Sequence, residues 1–417
     1  MKRYETYKDS GILWLDAIPS HWHEEKLKHI STCNDEVLPE DTPDELIIHY
    51  VEISDVDSVS GINNHTDYTF ANAPSRARRI TRKNDVIIST VRTYLKAIAT
   101  VKEDDLIVST GFAVIRPTKV NQKYLAYSLL NDDFLGEVIS KSVGVSYPAI
   151  NATDLIEIKI PVPPREEQET IAAYLDHKVG QIDATLAEKE QMLEDLKNYR
   201  SAIISEAVTK GLDKNVEMKD SGIDKFPMIR SNWNTSKLKY IASIRSGSAL
   251  PINNIKKDAL YEVYGGNGCM GRTDEYNTES PAIIIGRVGA LCGNVHLIKT
   301  KKWVTDNALI LNIKRDVTYE YLYYYLTAYD LNTLNSSNAQ PLITGTKVLD
   351  VVTPMPSLNE QIMIANYLDD KTSMIDETID QITVQISDLK SYKSTLITEA
   401  VTGKIDLRDW KPKEGSV

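Results

Sequence analysis

Cysteine and long apolar runs are both scarce in this chain of 417 residues. The three cysteines, Cys33, Cys269 and Cys292, lie far apart and form no CxxC pair, which argues against a disulfide framework or a zinc cluster. No stretch reaches the roughly 18 apolar residues that a membrane-spanning helix needs, and residues 1–5 lack the apolar core of a signal peptide. We therefore expect a cytoplasmic protein in a reducing compartment, with no membrane association.

Catalytic motifs are missing as well. The sequence contains no Walker loop, no GxSxG, no HExxH and no Asn-Pro-Pro-Tyr tetrapeptide. The stretch from Gly266 to Gly271 fits GxGxxG, but residues 272–281 predict a loop where a dinucleotide site needs a helix. Asp154 and Glu157 loosely match a nuclease D…ExK pattern, at too tight a spacing. A binding protein is therefore favoured over an enzyme.

The net charge of −11 opposes nucleic-acid binding, but basic residues are concentrated locally. Residues 60–102 contain eight basic and two acidic side chains, and residues 286–315 contain six basic and one acidic. The acidic residues lie largely in two long segments elsewhere. The length of the chain suggests two to four domains. The charge distribution predicts two basic surfaces joined by two long acidic segments.

Internal repeats organise the chain. The stretch at residues 8–12 recurs at 219–223, and residues 161–212 align without gaps on 354–405 with 23 of 52 positions identical. Between these matched ends, the modules at about 31–147 and 242–340 show little similarity. A repeated frame around divergent modules predicts two related functions with different targets, although drift after an old duplication remains an alternative.

Each long segment predicts a helix. A proline-rich stop precedes roughly forty residues without proline, and the helix would be about 60 Å long. A heptad spacing of apolar residues predicts that the two helices pack as an antiparallel coiled coil, interrupted at Lys189. The stripe positions are Ile182, Leu186, Lys189, Leu193, Leu196 and Ile203 in the first helix, and Ile375, Ile379, Ile382, Ile386, Leu389 and Leu396 in the second. The two helices would fix the distance between the modules; the alternative is a helix hairpin that only closes the fold.

The modules themselves predict mixed α/β structure. Apolar runs at 86–88, 98–101, 112–115, 283–285, 295–298 and 309–311 predict strands, and residues 124–135 and 319–331 predict helices. The tyrosines at 321 and 323–325 are interpreted as half core and half surface rather than as a base-stacking platform.

The resulting fold class is α/β (α+β), with two mixed α/β domains in a pseudo-twofold arrangement, separated by two long antiparallel coiled-coil helices. The predicted boundaries are 1–164 for the first domain, 165–212 for the first helix, 213–357 for the second domain and 358–417 for the second helix and tail.

Base-reading candidates are polar or basic side chains interleaved with aromatic residues. Arginine pairs bidentately with guanine and asparagine with adenine, whereas lysine suits phosphates. The candidates in the first module are Arg76, Arg78, Arg79, Arg92, Tyr94 and Lys96, and those in the second are Asn267, Arg272, Arg287, Lys301 and Lys302. We expect about half of them to contact DNA.

The sequence resembles the specificity subunits of type I restriction-modification enzymes. The resemblance rests on the opening motif at 7–12, 18–22 and 26–27, on residues 160–164 with Glu167, Gln168 and Ile171, and on the second copy at Glu360 and Gln361. Ser109 to Phe112 and the glycine-rich stretch Tyr264 to Gly271 also recur in such domains. The resemblance covers essentially the whole chain.

The resemblance implies a non-catalytic subunit in which each module, as a target-recognition domain, reads half of a bipartite site on double-stranded DNA. The helices would set the spacer and dock two methyltransferase subunits, to which restriction or translocase subunits would add. S-adenosylmethionine, ATP and Mg²⁺ would be held by those partners, and this chain would bind no cofactor or metal. The implied docking residues are Glu167, Gln168, Tyr174, Glu360, Gln361 and Tyr367. The alternatives are a self-contained DNA methyltransferase or nuclease, and a coiled-coil scaffold without nucleic acid.

Overall fold

The computed structural model describes residues 2–58, 60–213, 215–335 and 341–412. The chain divides into two compact units: unit 1 comprises Met1–Glu190 with Val384–Val417, and unit 2 comprises Gln191–Thr383. These divisions fall inside the two long helices. Each unit therefore contains one of the two modules and a part of both long helices.

Unit 1 consists of short strands and helices that precede the first long helix. The strands are β1 (Tyr7–Ile12), β2 (Leu15–Pro19), β3 (His23–Lys26), β4 (Ser31–Cys33), β5 (Ile47–Val51), β6 (Val56–Asp57), β7 (Gly61–Ile62), β8 (Thr66–Thr69), β9 (Ala77–Ile80), β10 (Val86–Ser89), β11 (Ile98–Thr100), β12 (Leu106–Ser109), β13 (Phe112–Pro117) and β14 (Lys159–Val162). The helices are α1 (Leu27–Ile30), α2 (Gln122–Leu130), α3 (Asp132–Ser140), α4 (Ala152–Leu155) and the long α5 (Arg165–Lys210), which continues into unit 2.

Two four-stranded sheets form the module of unit 1, in the orders β11-β10-β13-β4 and β8-β5-β12-β9. Strand β10 is buried on both faces: Val86 and Ile88 pack in the cluster that includes Leu125 and Phe134, whereas Ile87 packs in a second cluster with Val108. A strand covered on both sides has no need of polar alternation. This explains why residues 86–88 read as an uninterrupted apolar run.

The predicted helix over 124–135 is wrong in one respect, because the structure breaks it at Asn131. The backbone of Asn131 is extended, with ψ of 130°, and its side chain accepts a hydrogen bond from the amide of Asp133. Asparagine is a strong N-cap residue for this reason. Helix α2 therefore ends at Leu130, and α3 begins at Asp132.

Unit 2 repeats much of this arrangement. Its strands are β15 (Met218–Asp220), β16 (Met228–Arg230), β17 (Asn234–Lys237), β18 (Ala242–Ser246), β19 (Tyr261–Gly265), β20 (Gly268–Thr273), β21 (Ala282–Gly286), β22 (Val295–Ile298), β23 (Trp303–Val304), β24 (Ala308–Ile313) and β25 (Val352–Met355). Its helices are α6 (Leu238–Ile241), α7 (Tyr319–Tyr329), α8 (Gly345–Leu349) and the long α9 (Leu358–Val401), which continues into unit 1. In α7, Tyr321, Tyr324 and Tyr325 are buried, as the core interpretation predicts.

The two modules share a strand order although their sequences diverge. The sheet β22-β21-β24-β18 has the order of β11-β10-β13-β4, and β20-β19-β23 has the order of β8-β5-β12. In both second sheets the corresponding pair of strands is parallel, β5 with β12 and β19 with β23. The duplication seen at the ends of the modules therefore extends through them.

The long helices pack side by side within each unit. In unit 1, Asp183 pairs with Lys393 at 2.7 Å, and Lys189 donates a hydrogen bond to Gln385 at 2.6 Å, so the segments run antiparallel. In unit 2, Arg200 makes two bonds to the carboxylate of Asp376, at 2.8 and 3.1 Å. Several predicted stripe positions are buried, including Ile182, Leu186, Ile203, Ile375, Ile382, Ile386 and Leu396. Among the described residues, no helix has the length and apolar character needed to cross a membrane.

Candidate nucleic-acid interface

In unit 1 the turn at residues 109–111 contacts both segments that carry the DNA-binding candidates of this module, residues 76–79 and 90–96. The amide of Thr110 donates to the carbonyl of Arg76 at 2.9 Å, and the amide of Thr90 donates to the carbonyl of Gly111 at 2.7 Å. The turn follows β12, while the basic segments belong to β9 and to the residues after β10. Residues 76–79 and 90–96 therefore lie on either side of one short turn.

Four arginines around this turn form no ion pair with any carboxylate in the part of the chain that the structure describes. Arg76 and Arg92 are exposed, Arg78 lies over the Phe70 ring at 4.6 Å, and Arg79 donates to the carbonyl of Thr110 at 3.3 Å. Burial lowers the pKa of Arg79. The exposed guanidinium groups of Arg76 and Arg92 keep their charge available for a phosphate or a base edge, whereas Nε and Nη1 of Arg79 are buried.

Other arginines of the same module are neutralised. Arg116 pairs with Asp85 at 2.8 Å and with Glu36 at 2.5 Å, and Arg82 pairs with Glu36 at 2.7 Å. The hydrogen bonds from Arg82 and Arg116 lower the pKa of Glu36 to about 2. One module thus contains both arginines that carboxylates neutralise and arginines that no described carboxylate neutralises.

The segment after β10 has an unusual backbone. Arg92 and Lys96 both adopt the left-handed region, with φ of 51°, and they flank a single 3₁₀ turn that carries Tyr94. Such conformations are uncommon for residues other than glycine and concentrate at functional sites. The ring of Tyr94 is half exposed, whereas Lys96 pairs with Asp132 at 2.5 Å and so holds this turn against α3.

An exposed loop at residues 143–147 borders the same region, and the sequence reasoning missed it. Val143, Val145 and Tyr147 are all largely exposed, and the guanidinium of Arg92 lies 4.8 Å from the centre of the Tyr147 ring. The amide of Arg92 donates to the carbonyl of Pro148 at 2.7 Å, which fixes the base of the loop. The available signal was the alternation of Val143, Val145 and Tyr147 just before Pro148, a proline matched by Pro341 in the repeat.

Unit 2 builds a corresponding site around Arg287. Its amide donates to the carbonyl of Asn307 at 3.0 Å, and its carbonyl accepts from the amide of Ile343 at 2.9 Å. In unit 1, Thr90 makes the same two bonds, to Gly111 and from Ile150. Arg287 therefore occupies the position of Thr90.

The side chain of Arg287 donates to the hydroxyl of Ser246 at 3.3 Å, and within the described residues it has no acidic partner. Arg245, the neighbour of Ser246 on β18, is exposed and donates to the carbonyl of Asn277 at 2.7 Å. Arg245 was missed because it lies outside both basic stretches of the sequence. Unit 2 thus presents two arginines that no carboxylate of the described ranges neutralises.

The glycine-rich stretch forms a hairpin, β19 to β20, beside this arginine. A Cβ atom on Gly286 would lie 2.1 Å from the carbonyl oxygen of Gly266, so the hairpin tip packs directly on the end of β21. Asn267 is exposed at the tip and accepts a hydrogen bond from Asn294 at 3.2 Å. A strand, rather than the helix of a dinucleotide site, follows the turn.

The other three candidates of unit 2 are engaged within the module. Arg272 donates to the carbonyls of Ala259 and Leu260, at 2.6 and 2.9 Å, and Lys302 is hydrogen-bonded to Glu262, which lowers the pKa of that carboxyl. Lys301 forms an ion pair with Glu279 at 3.2 Å, and the ammonium of Lys301 lies over the Tyr276 ring. These side chains hold the module together and carry little free charge.

Two of the predicted docking residues, Glu167 and Glu360, are glutamates in the first turn of a long helix, and each accepts hydrogen bonds from residues that precede the helix. In unit 1, Glu167 accepts hydrogen bonds from the hydroxyl of Tyr4 and the indole of Trp22, both at 3.0 Å. In unit 2, Glu360 accepts from the indole of Trp233 at 3.4 Å and bonds Ser357, the residue before α9, as in a capping box. The repeated tryptophan and glutamate are therefore partners.

The next residue of each motif is a buried glutamine with the same function in both units. The side-chain oxygen of Gln168 accepts a hydrogen bond from the backbone amide of Asn121, and that of Gln361 accepts one from the backbone amide of Thr318, both at 2.8 Å. Their amide groups donate to Pro163 and Pro356, respectively. Both side chains satisfy backbone groups inside their own unit.

The two tyrosines of the repeat differ in exposure. Tyr174 is 4% exposed and packs edge-on against Trp410 at 5.4 Å, whereas Tyr367 is 37% exposed. On α9, Ile362, Met363 and Met374 are also exposed near Tyr367. Of the six predicted docking residues, Tyr367 has the side chain most open to a second protein.

The family model and the curated relatives that match the chain point to one family. The family model described as the type I restriction modification DNA specificity domain matches residues 50–195 and 230–387. The EcoprrI specificity subunit of Escherichia coli is 30% identical over 162 residues, which is 38% of each chain. The chain thus spans well under half of that relative. The MjaVIII specificity subunit of Methanocaldococcus jannaschii is 24% identical over 69% of this chain and 71% of its own.

A solved chain from work on complex assembly and conformational transition of the type I R-M system has the same fold. The TM-score is 0.69 at 21% identity, over 93% of this chain and 99% of that chain. At this identity the likeness concerns the fold alone.

Proposed function

Because the chain belongs to the type I restriction modification DNA specificity domain family, we propose that it is the cytoplasmic, non-catalytic subunit that selects the DNA sequence for a type I restriction-modification enzyme. Each module reads one half of a bipartite site. The observation that carries the proposal is that two modules of one strand order each present an arginine with no carboxylate partner among the described residues, in the segment that follows corresponding strands: Arg92 after β10 in unit 1 and Arg287 after β21 in unit 2.

The proposed contact surface of unit 1 is the turn at 109–111 with Arg76, Arg78, Arg92, Tyr94 and the loop 143–147. Arginine is suited to guanine in the major groove, and an exposed apolar loop can pack on thymine methyl groups. The proposed surface of unit 2 consists of Asn267, Arg287 and Arg245. Lys96, Arg272, Lys301 and Lys302 are left out of the proposed surfaces, because each is already engaged by protein groups.

We further propose that partner subunits supply the chemistry. Two methyltransferase subunits would bind S-adenosylmethionine, and restriction or translocase subunits would bind ATP and Mg²⁺. The exposed apolar part of α9 around Tyr367 is the proposed docking surface for one of them, because exposed apolar patches mark protein interaction sites. The long helices would set the distance between the two half-sites.

Genome-wide adenine methylation, mapped in cells with and without the gene, tests the proposal. Loss of methylation at one two-part motif with a fixed gap is the expected result, and it also reveals the target. Loss at a continuous short motif would contradict the two-module reading. If the purified chain alone methylated or cleaved DNA, the subunit would have to be reassigned as an enzyme.

A further inference from the structure

Two histidines and an aspartate converge at one edge of the second sheet of unit 1. Strands β5 and β8 are antiparallel, and His49 lies directly opposite Asp67 in their register. His65 precedes Asp67 by two residues. Because side chains alternate along an extended chain, His65 and Asp67 share a face, and the cross-strand partner His49 lies on that face too.

The side chains confirm the convergence that the backbone predicts. The Nδ1 atom of His49 lies 2.7 Å from one carboxylate oxygen of Asp67, and the Nε2 atom of His65 lies 3.5 Å from the same oxygen. One potential ligand atom from each residue falls within 4.8 Å of the others, and the two imidazole ring centres are 5.2 Å apart. An ordinary ion pair would need only one histidine, whereas here both rings turn toward one carboxylate.

We propose that His49, His65 and Asp67 form a site for a divalent transition-metal ion, with Zn²⁺ as the physiological occupant. Two imidazoles and a carboxylate are a ligand set suited to Zn²⁺, Cu²⁺ and Ni²⁺ rather than to Mg²⁺ or Ca²⁺. Ligands about 2 Å from one ion lie roughly 3 to 3.5 Å apart, so small rotations of three exposed side chains complete the site. Water fills the remaining positions, since all three residues are exposed.

The ion would fasten an edge strand. Strand β8 is outermost in its sheet and has β5 as its one neighbour there. With one ligand on β5 and two on or beside β8, a bound ion links the two strands through their side chains as well as through the ladder.

Metal titration of the full chain, purified metal-free and without a polyhistidine tag, tests the site. We expect one Zn²⁺ per chain by calorimetry, visible d–d absorption with Co²⁺, and a higher melting temperature with Zn²⁺. His49→Ala, His65→Ala and Asp67→Asn should each weaken Zn²⁺ binding at least about tenfold, because losing a ligand should cost no less than losing an outer-shell partner.

Two variants serve as matched controls. His29 lies in the same unit and pairs with Glu25 at 2.9 Å, and Cys269 is an exposed thiol elsewhere, so His29→Ala and Cys269→Ser should leave Zn²⁺ affinity unchanged. Circular dichroism verifies that each variant is folded. The site is rejected if the wild-type chain binds no Zn²⁺, or if the three ligand variants bind it as tightly as the wild type.

Discussion

At the scale of single residues, the decisive property of a basic side chain is whether a carboxylate already holds it. Arg92 and Arg287 are unpaired among the described residues, whereas Lys301 and Lys302 are bound to Glu279 and Glu262. From the sequence, all four are predicted to contact DNA, the arginines at bases and the lysines at phosphates, because the acids that neutralise the lysines are 22 and 40 residues away in the chain. Only the pairing of strands and loops brings them together.

Replacing one of the unpaired arginines should damage one half of the proposed DNA site. Arg92→Ala should lower specific affinity by about 1–3 kcal/mol and relax the choice of base in a single half-site, and Arg287→Ala should do the same in the other half. Binding of DNA libraries by the assembled complex measures this. Lys301→Ala is the control and should alter neither half-site; equal damage to both half-sites from Arg92→Ala would refute the assignment of one module to each.

A second prediction concerns the acid Glu36, whose pKa is lowered to about 2 by hydrogen bonds from Arg82 and Arg116. A carboxyl whose pKa is depressed in the folded state stabilises the protein at pH values above its ordinary pKa of 4.5. This stabilisation is lost as the pH falls toward the folded-state pKa of about 2. Glu36→Gln should therefore be less stable than the wild type at neutral pH, and the difference should shrink in acid. Urea unfolding midpoints over that pH range measure it; a difference that does not vary with pH would refute it.

At the scale of elements, the sequence predicted what depends on local pattern. The strands at residues 86–88 and 283–285 and both long helices follow from apolar runs and heptad spacing, and the structure contains them. The break at Asn131 was missed because an asparagine cap competes with an otherwise continuous helical pattern. The shared sheet order of the modules was missed for another reason: a buried strand accepts many combinations of Val, Ile, Leu and Ala.

The start of each long helix permits a matched test. Gln361 is fully buried and satisfies the backbone of Thr318, Asp316 and Pro356. Gln361→Ala leaves these groups without partners and should lower the free energy of unfolding by about 1–3 kcal/mol. Urea unfolding of the full chain measures the loss, and Asn359→Ala, at an exposed position on the first turn of α9, is the control. A loss no larger than that of the control would mean that the buried glutamine is dispensable.

At the scale of the whole molecule, one frame occurs twice and the long helices belong to both copies. The chain passes from unit 1 to unit 2 inside α5 and returns inside α9, at Glu190 and Thr383. If the helices set the spacer of the DNA site, their length should control the gap between the half-sites while the modules control the bases.

Inserting one heptad into each helix at these two points separates the two functions. Seven residues add about 10 Å of helix, close to the length of three base pairs, and preserve the apolar stripe because its period is seven. The methylated motif should keep both half-sites and gain about three base pairs of gap, as methylation mapping would reveal. A heptad in α5 alone should shift the stripes out of register and abolish methylation. An unchanged gap after the double insertion would mean that the helices close the fold without setting the spacer.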